Sequence, residues 1–167
     1  MRHPFLFWAT ALAVPALHFL LHVGFGMGGW APDLLTVGLL VLVRELRPAP
    51  AAGLGFMMGL LEDAFSVLSF GANAMALTVV GLIGSRTRDY FVGETLLFLV
   101  LYLGLGSWLR IALHWVASGG LGEEGGFRVL AVHAPLASLY ATAIGIFLLL
   151  ATGAWRREGQ GSRRGML

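Results

Sequence analysis

The chain has 167 residues, 57% of them hydrophobic and only 12% charged, with a formal net charge of +2 and a mean hydropathy of +0.81. A soluble domain carries about 25% charged residues, so most of this chain cannot face water, and an all-α polytopic membrane protein is expected. At roughly 20 residues per crossing the length leaves no segment outside the bilayer to fold alone, and residues 1–167 read as one integral membrane domain.

Met1-Arg2-His3 and the apolar run after it resemble a secretory leader, with Ala11-Leu12-Ala13 as the cleavage site. The run continues to Val23, long enough to span, so helix one is read over about 4–23. Helix two follows at about 31–43, with Pro32 in a favourable first-turn position. The joining stretch, Gly24–Gly29, lacks strand–turn–helix context and is not a phosphate loop. Helices three and four are read at about 49–66 and 71–85, helix five at about 93–118, and helix six at about 127–154, before a cytoplasmic tail over 155–167. Helices two, three and four are short for a hydrocarbon core of roughly 30 Å. They stand upright, or helices three and four form a hairpin that does not fully cross.

The arginines set the orientation. Arg2, Arg44, Arg47, Arg86, Arg88, Arg156, Arg157, Arg163 and Arg164 flank one side, Arg128 the other, and Arg110 lies inside helix five. The positive-inside rule places the larger group in the cytoplasm, giving six membrane crossings with both termini inside. Trp8 and Trp155 then fall at the inner interface, Trp30 and Trp115 near the outer one. The basic balance is thus a topology signal and not a nucleic-acid footprint. The absence of cysteine excludes disulfides, thiol nucleophiles and cysteine metal sites.

Gly55-x-x-x-Gly59 on helix three, and Ala137, Ala141 and Gly145 on helix six, put small residues on one face. Such faces let helices approach closely in lipid, either within the molecule or against a partner. Charged groups inside the span each need a partner or a purpose. At 1.5 Å per residue, Asp63 lies about 21 Å along helix three and Arg110 about 24 Å along helix five. Matched depth and opposite charge predict an Asp63–Arg110 ion pair, while Glu62 reads as ending helix three at the outer surface and His22 as interfacial. His18, Asp33, His114 and His133 fall in the outer half as well, where they would line a polar pocket.

Catalysis is not expected. Adjacent carboxylates on a helix point about 100° apart, so Glu62 and Asp63 cannot form an acid–base dyad. The five histidines read as scattered, so neither a metal nor a cofactor is expected. Ser107 follows Gly104-Leu105-Gly106, but no glycine follows it, which weakens an intramembrane serine protease reading.

The stretch from Ala31-Pro32-Asp33-Leu34-Leu35 to Glu94 resembles MreD, the rod shape-determining inner-membrane family. The likeness lies in an aromatic-x-Pro-Asp start to helix two and an apolar run ending in basic residues. The run Gly53-Leu54-Gly55-Phe56-Met57-Met58-Gly59-Leu60-Leu61-Glu62-Asp63 follows, and then Phe70-Gly71-Ala72-Asn73-Ala74-Met75-Ala76-Leu77. Phe70 stands where the family usually has leucine, and helices five and six add nothing specific. The resemblance implies a non-enzymatic scaffold of the cell-elongation complex in peptidoglycan synthesis. Its partner would be an MreC-like single-span protein, and through it a penicillin-binding transpeptidase and that enzyme's glycosyltransferase partner. It also implies a bundle like the S components of energy-coupling-factor vitamin transporters, which is the alternative function; Ala9-x-x-x-Ala13 on helix one has the spacing such a protein would use to dock its transport partner. For the scaffold, Gly55, Gly59, Glu62, Asp63 and Asn73 are the expected partner surface.

Overall fold

The computed structural model describes residues 4–24, 32–66, 69–87, 96–120 and 128–151. Every regular element among them is helical. Helix α1, Pro4–Phe19, runs on through a wider π turn at Leu20–Gly24. Next come α2 at Leu34–Val43, α3 at Pro48–Asp63, α4 at Ala72–Thr87 and α5 at Leu96–Ala117. The last, α6, is a π turn at Val129–His133 leading into Ala134–Ala151. Residues 25–31, 93–95, 127 and 152–167, which the sequence reading assigned to loops, helix ends and the tail, lie outside the described residues.

Local chemistry explains where the expected boundaries moved. Asp33 caps α2, accepting from the Thr36 backbone N–H at 3.0 Å and from the Thr36 hydroxyl at 2.6 Å, so the helix starts at Leu34. Pro48 opens α3, where its missing N–H costs nothing. At its other end α3 tightens into i, i+3 bonds, Phe65 N–H to the Glu62 carbonyl and Ser66 N–H to the Asp63 carbonyl, and stops three residues before the expected Ser66. Gly71, with φ +93°, makes the left-handed step that admits α4.

Helix α2 is the hub. It packs against all five other helices, and nine of its ten residues are buried, as befits a helix apolar on every side. The largest interface joins α3 and α4, and one i, i+4 stripe on α3 builds it. Ala51 meets Gly81, Gly55 meets the Leu77–Thr78 backbone, and Gly59 meets the Asn73–Ala74 backbone. A Cβ on Gly55 or Gly59 would run into main-chain atoms of α4, and one on Gly81 would lie 2.6 Å from the Ala51 carbonyl oxygen. The small face on α3 is therefore closed inside the molecule. On α6 the small face divides: Ala141 and Gly145 are buried, Gly145 against Val37 of α2, while Ala137 is exposed.

Buried hydrogen bonds fix the helix directions. The Tyr102 hydroxyl of α5 reaches the Leu40 carbonyl of α2 at 3.0 Å and the Gly84 carbonyl of α4 at 3.1 Å, and Ser85 donates to the Leu46 carbonyl at 2.7 Å. The starts of α2 and α4 therefore share one end of the bundle with the finish of α3. Arg44, Arg47 and Arg86 share the opposite end. The outer surface is apolar: Phe5, Leu12, Phe147 and many other large hydrophobic side chains on α1, α3, α5 and α6 are exposed. Two helices, Leu96–Ala117 and Leu130–Leu150, are long and apolar enough to cross a membrane.

Candidate functional site

A polar cluster occupies the end of the bundle where α2 and α4 begin. Its centre is Arg110, fourteen residues into α5 and so about 21 Å from that helix's start. The inward face of α5 is apolar at Leu99 and Leu103 and turns polar at Ser107, Arg110 and His114. Arg110 is 14% exposed, and its guanidinium is held from three directions. Nη2 donates to Glu62 Oε1 in a close ion pair and to Asn73 Oδ1 at 2.9 Å, while Nη1 lies 3.4 Å from Asp33 Oδ2. One side chain of α5 thus ties together the ends of α2, α3 and α4.

Asp63 has a different task from the one expected. Fully buried, its carboxylate accepts from the Asn73 N–H at 3.1 Å and the Ala74 N–H at 2.9 Å. Both donors belong to the unsatisfied first turn of α4, where the helix dipole also favours negative charge. The expected Asp63–Arg110 pair is corrected to Glu62–Arg110 with Asp33 as a second carboxylate. The cause is the roughly 100° step between adjacent helical residues. Asp63 continues the stripe Ala51, Gly55, Gly59 that faces α4, and this rotation turns Glu62 toward α5. Glu62 is accordingly only 20% exposed, not a solvated helix end.

The expected partner surface also needs correction. Gly55, Gly59, Asp63 and Asn73 are all buried in the α3–α4 contact and cannot meet another chain without parting the hairpin. The exposed stripe lies on the far side of α3, at Gly53, Met57 and Leu61, while Phe65, in the turn after α3, packs its ring on Phe19 of α1 with centroids 4.7 Å apart.

Of the expected pocket residues, the structure joins Asp33 directly to Arg110. His18 is 3% exposed and within electrostatic reach of Asp33 and Arg110, and His114 is within reach of Arg110 and Asp63. His133 is exposed and stands outside the cluster, because the π turn that carries it lies at the surface. The histidines are not all scattered. His18 and His22 are one helical turn apart with ring centroids 4.1 Å apart, and His22 Nδ1 lies 3.2 Å from the His18 carbonyl oxygen. No group of three or more metal-ligating side chains forms among the described residues.

Several buried polar atoms in or beside the cluster have no partner: Glu62 Oε2, Arg110 Nε, His18 Nδ1, His114 Nδ1 and Ser107 Oγ. Sequence reasoning missed the Glu62 and Asn73 contacts to Arg110 and weighed Ser107 only as a nucleophile. The i, i+3 spacing of Ser107 and Arg110 was the available signal.

Comparison with family models, curated proteins and solved structures finds no match to this chain.

Proposed function

We propose that the chain crosses a bacterial cytoplasmic membrane six times, both termini inside, and serves as a non-enzymatic scaffold of the cell-elongation machinery. It would bind an MreC-like single-span protein and, through that protein, a penicillin-binding transpeptidase and its glycosyltransferase partner.

The membrane reading is carried by an inverted surface. Large apolar side chains point outward around the bundle, while the charged groups within it are gathered into one interlocked cluster. In water that surface would be a single aggregation-prone patch; in lipid it is the expected exterior, and interior charge is expected to be paired. The Arg44, Arg47 and Arg86 end is then cytoplasmic, and the Arg110 cluster lies in the outer half of the bilayer.

The scaffold reading rests on the resemblance to MreD and on where its residues fall. Ala51, Gly55, Gly59 and Asp63 lock α3 onto α4, making the segment that bears the likeness a stiff hairpin. On its free side a Cβ on Gly53 would meet open space, and Met57 and Leu61 follow, both exposed. A second helix can come close at Gly53 and pack along Met57 and Leu61. One observation favours the vitamin-transporter alternative: on α1, Ala13 is exposed and Ala9 half-buried, leaving part of a small face outward.

Purification in mild detergent discriminates. An MreC-like protein is expected to accompany the chain, and Gly53→Leu or Met57→Ala should reduce its recovery several-fold while the chain stays folded. Recovery of an ATPase module instead, lost on Ala13→Leu, would replace the scaffold reading with the transporter one.

A further inference from the structure

We propose that Arg47 and Arg86 together hold the phosphate of an anionic phospholipid at the arginine end of the bundle. The inference rests on the membrane reading above and is independent of the scaffold role.

Two packing contacts set these side chains beside each other. Arg47 stands at the entry to α3, and Arg86 lies in the last turn of α4. The buried Ser85 hydroxyl donates to the Leu46 carbonyl at 2.7 Å, so the residue that follows each partner, Arg86 and Arg47, is held next to the other. About one turn further along the hairpin, Gly81 lies so close to Ala51 that a Cβ on it would be 2.6 Å from the Ala51 carbonyl oxygen. The two chains therefore cannot splay apart where the arginines stand. Both arginines are exposed, and among the described residues neither pairs with a carboxylate.

Charge says what kind of group belongs there. The described residues at this end carry three guanidiniums, Arg44, Arg47 and Arg86, against one carboxylate, Glu45. The positive start of α3 and the negative finish of α4 offset each other, so the excess of guanidinium remains. Two guanidiniums held as neighbours repel until an anion lies between them, and their planar forks match the oxygens of a phosphate.

The border of the pair says which phosphate. Ile83, 40% exposed, lies one turn before Arg86 on the same face of α4, and Ala49 and Pro50, just after Arg47, are exposed as well. A phosphate between the arginines thus sits against apolar surface on the bilayer side, where the acyl chains of its own lipid would lie. In the membrane reading this end meets the cytoplasmic leaflet, whose anionic lipids attract basic groups at the interface. A soluble phosphate would use the charge and leave the apolar border uncovered.

The test uses the full chain in nanodiscs of phosphatidylcholine. Failure to incorporate would overturn the membrane reading and this site with it; every other outcome concerns the site alone. Replacing part of the lipid by phosphatidylglycerol should raise the unfolding midpoint by several degrees. The double variant Arg47→Gln, Arg86→Gln should lose most of that shift. The double variant Arg163→Gln, Arg164→Gln, which removes the same charge from the carboxyl-terminal tail, should keep it. In native mass spectrometry from detergent, the unaltered chain should retain phosphatidylglycerol in preference to phosphatidylcholine. Should the first double variant not fold, the single variants decide, each expected to lower that retention several-fold. No shift with phosphatidylglycerol, a full shift in the Arg47, Arg86 variant, an equal loss in the tail variant, or an equal response to inorganic phosphate overturns the proposal. So does undiminished retention in both single variants.

Discussion

Arg110 takes its partners from three helices, so its charge is shared, and losing any partner leaves the others unbalanced. Removing one member of a buried ion pair strands the other at a cost of about 3–5 kcal/mol. Glu62→Gln and Arg110→Gln are each expected to destabilise the protein on that scale, and the double variant by clearly less than the sum of the two. The same cycle with Asp63→Asn and Arg110→Gln should couple less strongly, because Asp63 acts on the first turn of α4 and touches no guanidinium atom within bonding distance. Denaturant unfolding in a fixed detergent measures both cycles. Strict additivity for Glu62 and Arg110, or stronger coupling for Asp63 and Arg110, would contradict the assignment.

At the scale of elements, the α3–α4 hairpin divides the glycines of α3 by function. A Cβ on Gly55 or Gly59 would run into the backbone of α4, and one on Gly53 would meet open space. Gly59→Ala should therefore cost about 1–3 kcal/mol, the range of overpacked cores, while Gly53→Ala should leave stability unchanged or slightly raised. Thermal unfolding of the two variants side by side checks this, and equal effects would refute the packing. Much of the hairpin was legible in the sequence. Positions 55, 59 and 63 share a face at helical spacing, so a glycine face closed by α4 carries Asp63 with it and leaves Glu62 for another neighbour. What pattern alone does not say is which helix closes that face, and the matched depth of Asp63 and Arg110 then chose the wrong carboxylate. The Asp33–Arg110 contact was less accessible still. It depends on α2 standing at the centre of the bundle, which follows from packing among all six helices and not from any local spacing.

For the whole molecule, the helices were visible as apolar runs; among the described ends, the start of α2 moved to the Asp33 cap and the finish of α3 to a tightened turn, while α4 runs to Thr87, two residues past the expected end. The two ends of the bundle differ in kind. One gathers Arg44, Arg47 and Arg86, and the other holds the paired charges around Arg110 and the exposed Arg128. In a membrane this asymmetry fixes orientation. The chain has no cysteine, so single-cysteine variants report position without background. Ser118→Cys, just past α5 at the Arg110 end, should react with an impermeant thiol reagent added to intact cells. Arg86→Cys should react only after the membrane is permeabilised. That pattern is the one expected of a membrane bundle with its arginine end in the cytoplasm; labelling of Arg86→Cys from outside intact cells, or of neither position after permeabilisation, would contradict it.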